Sequence, residues 1–365
     1  MDKSELQFYS RQIQLPNFGI AGQKQLKKSN VLVIGAGGLG SSALQYLAAA
    51  GVGNIGICDF DKLDVSNLHR QIIYDFSQTG FPKAELAKKN ILRLNPYLNI
   101  QIIDNKISAA NVEEVISQYD VVLDCTDNFN TKFLIHDACY LNRINLIQSS
   151  IYQFEGQLHV FKFAEETNAG CFRCLWQTIP EEGCVGTCGE VGVLGVVPGI
   201  FGTLQALEAI KLLLGWKGLP QGKTFIFDLL SLQSRTIGWK KSETCPICGK
   251  YPYIKSIKQT EYENMQDYEI YSSAVNIDDF ELIDVRDEAT LAEKFSNDFN
   301  IHHISLNSWG ENLPNFDAEK QYLAFCNYGI KSKEFVRRMR EVGYINVFSL
   351  KDGVAGVKKL LKVEA

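Results

Sequence analysis

The chain has 365 residues, a formal net charge of −5, and hydrophobic and charged contents of 45% and 22%. That length exceeds one typical core and predicts two domains. The acidic balance argues against a nucleic-acid binder, which carries a basic surface, and leaves small-molecule and protein partners open.

Met1 to Gln14 is polar and charged, without the apolar core of a signal peptide. Asn30 to Ile34 is a β-branched run that reads as a buried strand. Gly35-Ala36-Gly37-Gly38-Leu39-Gly40 comes next, then an Ala/Leu-rich helix from Ser41 to Ala50 and a second strand from Asn54 to Cys58. This strand, turn, helix, strand unit predicts a parallel sheet. Pro82 to Asn95 and Asn111 to Gln118 read as helices. Ile100 to Asp104, Val121 to Asp124, Ile144 to Gln148, Gln157 to Phe163 and Thr224 to Asp228 read as strands, and Thr203 to Leu214 as a helix. The most apolar stretch, Val191 to Leu214, contains Pro198, Glu208 and Lys211, so it predicts a buried loop and helix rather than a membrane span.

The composition shifts after Cys248. Residues 251–267 read as a linker between a first domain, 1–250, and a second, 268–365. In the second, Glu281 to Val285, Gln321 to Phe325 and Ile345 to Leu350 read as strands and Lys331 to Val342 as a helix. The fold class expected is α/β: a Rossmann-like, mostly parallel sheet followed by a smaller α/β domain.

The glycine run fits G-x-G-x-x-G in its proper context. Gly35, Gly37, Gly38 and Gly40 allow a tight turn and close approach of backbone amides to a phosphate at a helix N-terminus. Asp59 ends the next strand, where an acidic residue can bind ribose hydroxyls. A nicotinamide-dependent dehydrogenase would share these features. The residues beyond Asp59 set the chain apart from one: Asp61, Ser66, Asn67, Arg70 and Lys83 add polar and cationic groups that hydride transfer does not need. Triphosphate chemistry does need them, to orient and neutralise charge while pyrophosphate leaves. Asp127, in Asp124-Cys125-Thr126-Asp127-Asn128, could hold Mg²⁺ or cap the helix predicted at Asn130 to Tyr140.

Ten cysteines without a secretory signal point to a reducing, cytoplasmic setting, where Cys pairs are more often metal ligands or catalysts than disulfides. Cys171-x-x-Cys174 and Cys245-x-x-Cys248 form two knuckles whose four thiolates suit a closed, structural Zn²⁺ site. Cys188, and Cys184 beside it, lie in a glycine-rich stretch suited to a mobile loop. Cys326 ends a strand at the start of a helix, where amides and the helix dipole favour a thiolate able to hold a persulfide.

In order along the chain, GAGGLG, DFD, SNLHRQ, Pro82-Lys83 and TDN resemble the ubiquitin-activating-type adenylyltransferases. The match is nearest to those serving molybdopterin synthase and the thiamine pathway, and it covers about Leu6 to Lys250. The resemblance implies that Gly38, Asp59, Asn67, Arg70, Lys83, Asp127 and Asn128 bind ATP and Mg²⁺. It implies a homodimer in which Arg11, in the segment Tyr9-Ser10-Arg11-Gln12, reaches the neighbouring subunit's phosphates. It also implies that Cys188 can link covalently to a ubiquitin-like sulfur-carrier protein. Residues Tyr268 to Lys359 resemble a rhodanese through Ile283-Asp284-Val285-Arg286 and the loop after Cys326. His303-Ile304 lacks the Pro-Gly that comes after it in that family.

The function expected is adenylation of a carrier's C-terminal glycine, followed by its thiocarboxylation through a Cys326 persulfide charged by a sulfur donor such as a cysteine desulfurase. Neither nucleic acid nor membrane is expected as a partner. Two other readings stand beside it: a dinucleotide-dependent redox enzyme, and a zinc-containing scaffold with a sulfur-binding module.

Overall fold

The computed structural model describes residues 1–165, 168–180, 192–258, 262, 268–286, 301–304, 316–317, 319–327 and 329–361. It divides into two compact units, Met1–Tyr262 and Glu263–Ala365.

The first unit is built on an eight-stranded sheet. Its strands are β1 (Asn30–Ile34), β2 (Asn54–Cys58), β3 (Asn99–Ile103), β4 (Val121–Asp124), β5 (Asn145–Tyr152), β6 (Glu155–Phe161), β7 (Lys223–Asp228) and β8 (Gln233–Gly238). They lie in the order β3-β2-β1-β4-β5-β6-β7-β8. The first five are parallel, and β6 to β8 run antiparallel to their neighbours. The expected Rossmann-like, mostly parallel architecture is therefore present. Val31, Leu32, Val33, Val121, Val122 and Leu123 are all buried, because helices cover both faces of the central strands.

Four helices matter for the site: α1 (Gly38–Ala50), α2 (Lys83–Leu94), α3 (Phe129–Leu141) and α4 (Val196–Leu213). The last begins well before the expected start at Thr203. Pro198 sits in its first turn, where a missing N–H breaks no helical bond. By length and composition α4 could cross a membrane. In the fold it packs against α1, β5 and β6, with Val197, Phe201, Ala206 and Ala209 in the core.

Two described residues of the stretch read as a linker are packed into the first unit. Ile254 and Tyr262 join its core, and the Tyr262 hydroxyl donates to Asp137 Oδ2 at 2.8 Å. A polar, aperiodic segment can still deliver single anchoring side chains. Strand β8 is a further element beyond the sequence expectation. All six of its residues are exposed, so it shows no apolar alternation.

The second unit carries a parallel five-stranded sheet. Its strands are β9 (Glu269–Ile270), β10 (Glu281–Asp284), β11 (Ile301–His303), β12 (Tyr322–Phe325) and β13 (Val347–Leu350), ordered β11-β10-β12-β13-β9. Alternate residues feed two cores, Ile283, Tyr322 and Ala324 on one face and Leu282, Leu323 and Phe325 on the other. Helices α5 (Ile330–Glu341) and α6 (Gly353–Leu361) complete it. The strands β9 and β11 and helix α6 are additions to the elements expected from sequence.

Candidate functional site

The sheet reverses its winding between β1 and β4, the point outside which α/β sheets bind ligands. The glycine turn leaves β1 there. Gly35 has φ +94°, and a Cβ on it would stand 2.8 Å from the Cys125 carbonyl oxygen. A Cβ on Gly40 would lie 1.9 Å from the Gly35 oxygen, so only glycine lets α1 start this close to β1. The turn is tied down by Gly35 N to Cys58 O at 2.8 Å and by Ala36 N to Asp59 Oδ2 at 2.7 Å. Gly37 is the N-cap of α1, which directs free helix amides at the cleft.

Asp59 stands at the end of β2, half-buried. Burial raises its pKa, opposed by the Ala36 amide and the charge of Lys83. Lys83 is buried, and its Nζ meets Asp61 Oδ2 at 2.9 Å. Tyr74 bridges the turn and α2, donating to Ala36 O at 2.9 Å and lying 3.3 Å from Lys83 O. Arg70 donates through Nη1 to Ser66 O at 2.9 Å and to His69 Nε2 at 2.8 Å. Ser66 and Asn67 belong to a short capped turn: Ser66 N donates to Asp64 Oδ1, and Asn67 Oδ1 accepts from Asp64 N at 3.2 Å.

Across the turn, β4 ends in Asp124. This fully buried carboxylate accepts from Thr126 N at 2.9 Å and Thr126 Oγ1 at 2.6 Å, from Gln148 Nε2 at 2.7 Å, and pairs with buried Lys132 at 3.3 Å. It anchors the loop that presents Asp127. Asp127 is exposed and does not cap α3. The cap is Asn128, whose Oδ1 accepts from Thr131 N at 2.9 Å. Asn128, expected to bind ligand, therefore has its side-chain oxygen engaged within the helix.

The site residues expected on β1, β2, β4 and the turns after them thus gather at one edge of the sheet. Arg11 does not join them. Its neighbour Gln12 donates to Ala50 O at 2.7 Å, at the C-terminal end of α1, and 13 helical residues put that end roughly 20 Å from the glycine turn. Cys184 and Cys188 lie outside the described residues.

Sequence reading missed Asp124, Lys132, Gln148, Tyr74 and Gln71. The sequence held no signal for the buried pair: the helix Phe129–Leu141 also carries Asn130, Thr131, His136 and Asp137, so a lysine among them reads as an ordinary solvated residue.

The four knuckle cysteines converge. Their sulfurs are separated by 3.3 Å (Cys174–Cys248), 3.5 Å (Cys171–Cys248), 3.6 Å (Cys171–Cys245) and 3.9 Å (Cys171–Cys174), and all four lie within 4.8 Å of one another. A tetrahedron with metal–sulfur bonds of about 2.3 Å has edges of about 3.8 Å. Four thiols so placed, three of them buried, could hold a metal ion. Behind them, Phe172 N donates to His136 Nε2 at 3.0 Å, which leaves His136 Nδ1 to donate to Asp137 Oδ1 at 2.7 Å. Arg173 Nη2 donates to Asp137 Oδ2 at 2.6 Å. Burial would raise the Asp137 pKa; the contacts with His136 and Arg173 overcome it and hold the pKa below its ordinary value.

In the second unit, Cys326 follows β12 at the sheet centre and is buried. Ser332 Oγ, in the first turn of α5, lies 3.6 Å from Cys326 Sγ and accepts from Ser349 Oγ at 2.9 Å. Gly353 closes over the loop: a Cβ there would stand 2.4 Å from Cys326 O. Asp284 and Arg286 form a buried pair, Nη2 to Oδ2, at 2.6 Å.

Comparison with known proteins agrees with the first unit. The ThiF family model matches residues 9–247. A sulfur carrier protein adenylyltransferase of Thermus thermophilus is 41% identical over 252 residues, 68% of this chain and 93% of that protein. An adenylyltransferase and sulfurtransferase, MOCS3, of Drosophila yakuba is 43% identical over 250 residues, 68% of this chain and 54% of that protein, so the chain matches about half the length of that relative. Among solved structures, E. coli MccB with ATP superposes with a TM-score of 0.59 at 20% identity, covering 68% of this chain and 75% of that one, which shows a shared fold. With the glycine turn at the switch point and the matched stretch taking in every residue gathered around that turn, the chain belongs to the ThiF family.

Proposed function

We propose that the chain adenylates the C-terminal glycine of a ubiquitin-like sulfur-carrier protein, and that its second unit, as a rhodanese-like domain, supports the carrier's thiocarboxylation. The observation that carries the reading is the gathering of Arg70, Lys83, Asp59 and Asp127 around the glycine turn, where β1, β2 and β4 end. The names of the relatives support the same chemistry.

In this reading a carboxylate oxygen of the carrier attacks the α-phosphorus of ATP, and the bond to the bridging oxygen breaks, releasing pyrophosphate. No general base is required, because the carboxylate is already ionised at neutral pH. The glycine-turn amides and Arg70 orient the phosphates, and Lys83 shifts from Asp61 to the charge that develops. Asp127 would hold Mg²⁺, which neutralises phosphate charge. The terminal sulfur of a Cys326 persulfide, charged by a donor such as a cysteine desulfurase, then attacks the acyl carbon and AMP leaves. Thiol attack by Cys188 on the resulting disulfide releases the carrier thiocarboxylate and leaves a Cys188–Cys326 disulfide, which a thiol reductant reopens. That chemistry belongs in a reducing cytoplasm.

Exposed Tyr152, Phe154, Leu230 and Leu232 lie at the same sheet edge as the glycine turn, because the β5–β6 turn and the β7–β8 turn meet there. A carrier protein could dock its body on them while its tail enters the cleft. A homodimer fits two further features. Arg11 can serve this site only from a second copy, and Tyr46, Ile72, Leu94 and Val196 line an exposed, largely apolar groove of about 670 Å³.

The deciding experiment is ATP–pyrophosphate exchange with purified ubiquitin-like carriers ending in Gly-Gly. Exchange is expected only when a carrier is present. NAD(H) binding with no exchange for any carrier would instead support an oxidoreductase.

The cysteine cluster is assigned to structural Zn²⁺. One equivalent per chain is expected by metal analysis. Cys245→Ser should cost about 3 to 5 kcal/mol, a fall in Tm of about 10 °C; an unchanged melt would remove the metal from the assignment.

A further inference from the structure

We infer that Gln71 is a ligand-binding side chain of the nucleotide cleft, its carboxamide donating to the phosphate chain held at the glycine turn. The inference rests on the adenylation reading and adds a residue to it. Gln71 is 4% exposed. Its Nε2 lies 3.6 Å from the point a Cβ on Gly37 would occupy, so the side chain rests against the N-terminus of the 13-residue helix α1. The chain on either side is held tightly. A Cβ on Gly195 would stand 2.2 Å from His69 O, and one on Gly38 would stand 3.6 Å from Arg70 O. Gln71 N donates to Asn67 O at 3.0 Å, and Gln71 O accepts from Tyr74 N at 3.2 Å.

The backbone is thus fixed while the carboxamide is idle. Gln71 Oε1 is buried and has no hydrogen-bond partner. Burying a polar atom without a partner destabilises a fold, and an apolar residue of similar size would relieve that cost. A carboxamide at this place is therefore accounted for by a partner that arrives with the ligand. Phosphate oxygens accept from Nε2, and Oε1 takes a donor from the ligand or from water bound to it. A neutral donor also orients the phosphates without adding charge that would hold back the departing pyrophosphate.

Gln71→Met and Gln71→Glu in the full chain test this, using carrier-dependent ATP–pyrophosphate exchange and thermal melting. For Gln71→Met we expect KM for ATP to rise about tenfold, KM for the carrier to stay the same, and Tm to hold or increase. Gln71→Glu should raise KM for ATP further, since its carboxylate faces the phosphates. An unaltered KM for ATP in Gln71→Met, with exchange intact and Tm lowered, would make Gln71 a packing residue and overturn the inference. Absence of exchange by the unmodified chain would overturn the adenylation reading, and this inference with it.

Discussion

Asp127→Ala should lower carrier-dependent ATP–pyrophosphate exchange by about 10²- to 10³-fold, the range seen when one group that stabilises transition-state charge is removed. The fold should not notice. Asp127 is exposed, the helix after it is capped by Asn128, and its loop is held by Asp124 through Thr126. Surface substitutions of this kind stay within about 0.5 kcal/mol, so Tm should be preserved while turnover collapses. Asp127→Asn keeps the shape and removes the charge, and its loss should be of similar size. Exchange at the unmodified rate in both variants would remove Asp127 from the site and leave the glycine turn without an exposed carboxylate in the loop after β4.

The second large effect separates the two units. Cys326→Ala should leave exchange at the unmodified level and reduce carrier thiocarboxylation to background. The thiol is the group in that loop assigned to carry sulfur, and adenylation is assigned wholly to residues of Met1–Tyr262. Mass spectrometry of the second unit after incubation with a sulfur donor should show one added sulfur in the unmodified chain and none in the variant. Joint loss of both activities would contradict this division of labour. Cys326→Ala also empties little space, so a stability defect large enough to mimic either result is not expected.

Periodicity and local rules decide which parts of the fold are legible in the sequence. The strands β1, β2 and β4 are buried on both faces, and their unbroken apolar runs make them legible, as do the glycines whose Cβ atoms would collide with backbone. The four knuckle cysteines are legible because thiolate spacing is itself a metal signature. Strand β8 is not, since a wholly exposed edge strand has no apolar rhythm. Asp124 and Lys132 are not, because a buried ion pair is chemically the same two letters as a solvated one and only the third dimension tells them apart. Gln71 stands in a motif whose arginine draws the eye, and its idle carboxamide is a property of packing alone.

The hydroxyl of Tyr262, which reaches Asp137 in the cluster behind the cysteine knuckles, bears on how the molecule can be cut. A truncation after Lys250 ends at the last residue the family resemblance covers, yet it strips a donor from a carboxylate that also serves His136 and Arg173. The smallest fragment that keeps the adenylating half whole extends past Tyr262, and a protease that nicks before that tyrosine should release a half that melts earlier than one nicked after it.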